Sequence, residues 1–76
     1  MPSVFTREYD EFRKRLIRAR KEAGLTQTDV ARVLKRPQPF ISKIESGERR
    51  LDAVELAHLA RLYGKPVTFF VDHVHD

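Results

Sequence analysis

A set of polar side chains in residues 36–50, RPQPFISKIESGERR, falls on one side of a helix if successive residues are about 100° apart. The set contains no acidic residue and comprises Gln38, Pro39, Ser42, Lys43 and Ser46. A glutamine amide donates and accepts at once, which matches N6 and N7 of an adenine in a major groove. Proline offers only apolar contact, for example with a thymine methyl group. Because it carries no acidic residue, this face is suited to approach phosphate.

Four basic side chains flank this polar face. Lys35 and Arg36 precede it, and Arg49 and Arg50 follow it. The chain of 76 residues has a formal net charge of +4 and a pI of about 9.9, which fits a solvated basic surface or a polyanionic partner. Because these residues adjoin the polar face, we interpret them as contacts to a phosphate backbone.

Two prolines fix the start of this helix. Proline is tolerated in a first helical turn, where the backbone N–H has no partner within the helix. We therefore predict Pro37 at or before the cap and Pro39 inside the first turn. The helix then runs through Phe40 to about Ser46 and ends at Gly47, with the apolar side chains of the segment on the face opposite the polar set.

Three other segments have the apolar spacing of amphipathic helices. The predicted caps are Thr6, Thr26 with Asp29, and Asp52 with Glu55, and the predicted ends are Gly24, Leu34 and Gly64. The predicted apolar positions are Phe5, Tyr9, Phe12, Leu16, Ala19 and Ala23, then Val30, Ala31 and Leu34, then Val54, Leu56, Leu59, Ala60 and Tyr63.

The last segment, KPVTFFV, is predicted to form one or two helical turns with Pro66 at the first position. A strand is the alternative, but a lone strand would have nothing to pair with in a monomer. The segment has apolar side chains to spare, so we expect a dimer contact there, formed by Val67, Phe69, Phe70 and Val71. The tail, residues 72–76, is expected to fray.

Five short helices with tight connections predict an all-α fold. The connection between the second and third helices has three or four residues, the spacing of a helix-turn-helix. We expect one domain over residues 1–76 with its core from about 6 to 71, and no second, ligand-sensing domain. A chain of this size buries only about 60% of its unfolded surface, which favours dimerisation.

The composition argues against several classes of protein. Cysteine is absent, so neither disulfides nor thiolate metal sites can form. No apolar run approaches the roughly 18 residues of a membrane span, and we expect a soluble, cytoplasmic protein. The chain has no glycine-rich phosphate loop and no paired carboxylates, so we expect no enzyme, cofactor or small-molecule ligand. His73 and His75, with Asp72 and Asp76 nearby, have no third ligand fixed by secondary structure, and we predict no metal site.

Several motifs together resemble the Cro/repressor-type (XRE) helix-turn-helix domains of bacterial and phage regulators. They are IRARKEAGLTQTDVARVL, then PFISKIESGERR, then LAHLARLYGKPVTFF, and they cover roughly residues 12–71. The resemblance implies that Gln27 sits over a backbone phosphate, and that Ser46 meets phosphate with the loop that contains Arg49 and Arg50. It also implies that Gln38, Pro39, Ser42 and Lys43 of the third helix face base edges in the major groove. A structural ion pair between Arg20 and Glu45 is implied as well.

Three positions depart from the family pattern. Lys35 stands in the turn where glycine is frequent, Pro37 stands where a serine or threonine often caps the helix, and Pro39 replaces a position that is often polar. If Lys35 is left-handed, it costs about 1 kcal/mol relative to glycine.

The sequence thus predicts a transcription regulator, acting as a repressor, that binds a palindromic operator in double-stranded DNA as a homodimer in a bacterial or phage-derived setting. The alternative is a protein-interaction or antitoxin-like module that uses the same fold. A protein-binding face would more often show exposed leucines or aromatic residues than the polar and basic set found here.

Overall fold

The computed structural model describes residues 6–74, which contain five helices. They are α1 (Arg7–Glu22), α2 (Gln27–Leu34), α3 (Gln38–Ser46), α4 (Ala53–Tyr63) and α5 (Thr68–Val71). The predicted all-α fold is confirmed, and so is a helix rather than a strand at the last segment. Phe5, His75 and Asp76 lie outside the described residues. Within residues 6–74, no helix has both the length and the apolar character needed to cross a bilayer.

Side-chain caps begin three helices as predicted. The hydroxyl of Thr6 accepts the N–H three residues later at 3.0 Å. Thr26 and Asp29 form a reciprocal capping box at 3.0 and 2.9 Å, and Asp52 and Glu55 form another at 2.8 and 3.1 Å. Such a cap stabilises a helix by about 1 kcal/mol, so these short helices start at defined residues.

The core lies where α3 packs against α1 and α2, with α4 and α5 closing it over α1. Its buried apolar side chains are Phe12, Leu16, Ala19, Val30, Ala31, Ile41, Ile44, Leu59, Ala60, Tyr63 and Phe70. Truncating one of the larger aliphatic members to alanine is expected to cost about 2–5 kcal/mol. The position of α3 therefore depends on contacts from both preceding helices.

The turn between α2 and α3 consists of residues 35–37. Lys35 adopts the left-handed conformation with φ 56° and ψ 45°, the only positive φ of a non-glycine residue in the described chain. The N–H of Arg36 donates to the carbonyl of Ala31 at 2.9 Å and closes the end of α2. Pro37 follows as the N-cap of α3, without a side-chain cap, and Pro39 lies in the first turn. Both proline positions predicted from the sequence are confirmed.

Two predicted core positions are wrong. Ala23 is exposed because it is the C-cap of α1, where the helical periodicity ends. Val54 is 67% exposed. At about 100° per residue, Val54 lies nearly opposite the face of α4 that buries Leu59 and Tyr63, so its side chain cannot reach the core.

The C-terminal segment also differs from the prediction. Pro66 precedes α5 by two residues, and its carbonyl accepts a hydrogen bond from the first turn. Asp72 pairs with Arg15 of α1, and Nε2 of His73 lies 2.9 Å from the carbonyl oxygen of Glu8. Asp72 and His73 are therefore held against α1, and the expectation of fraying is wrong for them.

Candidate nucleic-acid interface

The polar face of α3 points away from the core. Pro39, Lys43 and Ser46 are exposed, and Gln38 and Ser42 are partly exposed. The two serine hydroxyls donate to carbonyls three residues earlier, at 3.2 Å for Ser42 and 3.1 Å for Ser46. The structure thus brings the predicted base-reading side chains together on one surface, with buried Ile side chains behind them.

The amide of Gln38 is oriented by a residue of α2. Its Nε2 donates to Oε1 of Gln27 at 2.7 Å, and Nε2 of Gln27 donates to Oε1 of Glu45 at 2.9 Å. Gln38 makes no other side-chain hydrogen bond among residues 6–74, so its Oε1 and its second N–H can meet a ligand. The Gln27 amide is hydrogen-bonded to Gln38 and Glu45 within the protein. Its contact with phosphate stays a prediction.

Arg20 and Glu45 form an ion pair between α1 and α3. Nε of Arg20 lies 2.7 Å from Oε2 of Glu45, and Nη2 lies 3.0 Å from Oε1. Nη1 of Arg20 also donates to the carbonyl of Leu25 at 2.8 Å. The two residues are 9% and 6% exposed. Such a pair tolerates burial because hydrogen bonds satisfy both charged groups.

Protonation of the groups around this pair is fixed by their surroundings. The hydrogen bond from Arg20 to Glu45 raises the pKa of the guanidinium further above its ordinary value. Burial, and secondly the Glu45 carboxylate, raise the pKa of the Tyr63 hydroxyl, so Tyr63 stays neutral.

Nη1 of Arg13 donates to the backbone carbonyl of Glu45 at 2.7 Å. This contact was not predicted from the sequence, because Arg13 is one of many charged residues on α1 and nothing in its spacing distinguishes it.

The other flank of α3 carries two arginines on one aromatic ring. Cζ of Arg36 lies 4.8 Å, and Cζ of Arg49 lies 4.6 Å, from the ring centroid of Phe40. Arg49 also makes a bidentate ion pair with Glu55 of α4, with both N–O distances 2.9 Å. This pair holds the pKa of Glu55 below its usual range. Sequence reasoning gave no sign of it.

Not every predicted phosphate contact lies on this surface. Cζ of Arg50 lies 4.3 Å from the ring centroid of Tyr9, on the N-terminal part of α1. Lys35 is exposed beside the start of α3. The hydroxyl oxygen of Ser46 lies 3.3 Å from Oε2 of Glu48, which puts a carboxylate beside a predicted phosphate contact. The phosphate roles of these three basic and polar residues stay predictions.

The predicted dimer contact is wrong at one residue. Phe70 is 0% exposed because it packs into the core from α5, so its side chain cannot meet a second copy. Phe69 is partly buried, with Arg18 and Lys65 over its ring at 5.1 and 4.8 Å. Val67 is exposed and Val71 is partly buried, and their part in a dimer stays a prediction.

The described residues contain no group of three or more acidic or histidine side chains that could hold a metal ion. Two shallow clefts flank the core, and neither is lined by Gln38 or another residue of the polar face of α3.

Comparison with known proteins agrees with this geometry. A family model described as a helix-turn-helix domain matches residues 11–68, which include all of α2, α3 and α4. A search of curated proteins found no match, and a search of solved structures found none either. The family is of the Cro/repressor (XRE) type, and its match covers most of the chain. The chain therefore belongs to the helix-turn-helix domain family.

Proposed function

We propose that this chain is a sequence-specific regulator of transcription that inserts α3 into the major groove of double-stranded DNA. The observation that carries the proposal is the hydrogen-bonded series from Arg20 through Glu45 and Gln27 to Gln38. Each step is 2.7–3.0 Å long, and the series links α1, α2 and α3. It ends at an amide with one acceptor and one N–H still unused.

The hydrogen bond to Gln27 already restricts the rotamer of the Gln38 amide in the free protein. Binding to a base therefore costs little further side-chain entropy, which supports base reading. A bidentate contact between glutamine and adenine requires the acceptor and donor in one plane, facing N6 and N7. Ser42 and Lys43 lie beside Gln38 on the same surface and would contact neighbouring base pairs. Arg36 and Lys35 at the start of α3 would contact phosphates and fix the register.

We further propose repression, since a compact domain bound in the major groove excludes other proteins from its site. Domains of this type fit operators with two-fold symmetry, with half-sites about one helical turn apart. Val67, the N-cap of α5, and Phe69 and Val71 on α5 are the residues through which we propose the two copies meet. Such a regulator would act in the cytoplasm, where bacterial DNA lies.

A selection of duplexes from a random pool tests this function. We expect enrichment of a two-fold symmetric motif, and loss of the enrichment when Gln38→Ala is used in the same selection. A pool that stays random with the wild-type protein would contradict DNA reading and favour the protein-interaction alternative. Enrichment of a single, asymmetric half-site would contradict the dimer and leave base reading intact.

A further inference from the structure

Arg49 is held by a carboxylate of its own chain. Both terminal nitrogens of its guanidinium bond to the two oxygens of Glu55 at 2.9 Å, and Nη1 also donates to the carbonyl of Arg50 at 3.0 Å. The side chain of Arg49 is 40% exposed, whereas that of Glu55 is 19% exposed. The pair lies next to Phe40, on the flank of α3 beside Lys43.

The bond pattern is the one that a phosphate group would need. Arginine binds carboxylate and phosphate through the same kind of parallel N–H pair, and Glu55 uses the pair formed by the two terminal nitrogens, so an anion that approaches this end of Arg49 meets donors already in use. Glu55 is itself fixed, because its Oε1 accepts the N–H of Asp52 at 3.1 Å in the capping box of α4. The carboxylate therefore cannot move away with the arginine.

We propose that Glu55 competes with phosphate for Arg49 within the molecule. While the ion pair is closed, Arg49 contributes less to nonspecific DNA binding. This inference rests on the proposed function and on the prediction that the loop after α3 meets a DNA backbone. In this view a phosphate binds the two terminal nitrogens of Arg49 only by displacing the Glu55 carboxylate from them. The pair thus lowers affinity for any duplex and makes tight binding depend more on the base contacts of α3.

The substitution Glu55→Gln tests this competition without removing the helix cap, because glutamine also serves in capping boxes. We expect affinity for cognate and scrambled duplexes to rise by about two- to fivefold, the range for releasing one exposed ion pair. The slope of log affinity against log salt should steepen by about 0.9, the value for one additional phosphate contact.

Two controls separate release of Arg49 from simple loss of a negative charge. Glu22→Gln removes a carboxylate that pairs with Lys65 at 2.8 Å, away from α3, and should leave both affinity and salt slope unchanged. In the Arg49→Ala background, Glu55→Gln should no longer increase affinity or steepen the slope. A gain that persists without Arg49 would overturn the proposal, as would unchanged binding by Glu55→Gln.

A heparin column distinguishes failure of this inference from failure of the proposed function. The sulfate groups of heparin compete for the same guanidinium but present no base edges. We expect Glu55→Gln to elute at higher salt than the wild type, and the double variant with Arg49→Ala to show no such gain over Arg49→Ala alone. If this pattern appears but duplex DNA is not bound, the competition stands and DNA binding fails. If elution is unchanged, the competition itself is wrong.

Discussion

The guanidinium of Arg20 forms two hydrogen bonds with the carboxylate of Glu45, at 2.7 and 3.0 Å, and so joins the end of α1 to α3. Gln27 shares the same carboxylate at 2.9 Å and bonds in turn to Gln38. One buried ion pair thus supports both the packing of α3 and the orientation of the side chain that we propose as its main base contact.

Glu45→Ala should destabilise the domain by about 3–5 kcal/mol, because it leaves the Arg20 charge buried without its partner. Small domains have unfolding free energies of about 5–15 kcal/mol, so the Glu45→Ala variant should be only marginally stable. Thermal and urea unfolding measure the loss. Glu22→Ala, which breaks the exposed pair with Lys65, is the matched control and should cost less than about 1 kcal/mol. A Glu45→Ala protein that melts within a degree or two of wild type would show that the pair does not stabilise the fold.

Lys35→Gly should stabilise the protein by about 1 kcal/mol, since glycine adopts the left-handed conformation at φ 56° without steric cost. Lys21→Gly, in the last turn of α1, is the control and should destabilise by about 1 kcal/mol. Urea unfolding of the two variants gives the comparison. Destabilisation by both would mean that the turn before α3 tolerates lysine without strain.

Self-association should be visible by sedimentation at micromolar protein concentration. The exposed apolar surface around α5 consists of its N-cap Val67 with parts of Phe69 and Val71, and Phe69→Glu should shift the protein to monomer. Val33→Glu, at an exposed valine on α2, serves as the control and should leave the dimer intact. A wild-type protein that is monomeric both alone and on DNA would exclude this dimer.

Acid should destabilise the fold. Hydrogen bonds from Arg49, then the N–H of Asp52, lower the pKa of Glu55, and bonds from Thr26 lower that of Asp29. Carboxyl groups with a lowered pKa in the folded state add stability above their unfolded pKa, and this stability is lost as pH falls through the folded value. The melting temperature should therefore fall from about pH 5 to pH 2, and less steeply for Glu55→Gln. A melting temperature that rises on acidification would contradict these shifts.

The local features of this fold could be read from the sequence. Capping boxes such as Thr26 with Asp29 depend on residues three apart, and the two prolines at the start of α3 restrict their own backbone. The failures involve tertiary position. Phe70 belongs to a helix of four residues, too short for its spacing to show which side is buried. Arg49 finds Glu55 only once the loop after α3 has folded back on α4.

The same distinction holds for the interface. Helical spacing placed Gln38, Ser42 and Lys43 on one face, because that geometry is set within α3 itself. The bond from Gln38 to Gln27 crosses between helices, and nothing in the spacing of either helix specifies it. The predicted positive charge after α3 is partly neutralised within the protein, which residue types alone do not reveal.

The central claim is that α3 reads bases while the residues around it bind phosphate. The measurement is a salt titration of binding to a selected cognate duplex and to a scrambled one, for Gln38→Ala and Arg36→Ala. Arg36→Ala should weaken both duplexes alike and reduce the salt slope by about 0.9. Gln38→Ala should cost about 1–3 kcal/mol on the cognate duplex alone, with nonspecific binding and its salt slope unchanged. Equal weakening of both duplexes by Gln38→Ala would contradict the claim that α3 is the reading helix.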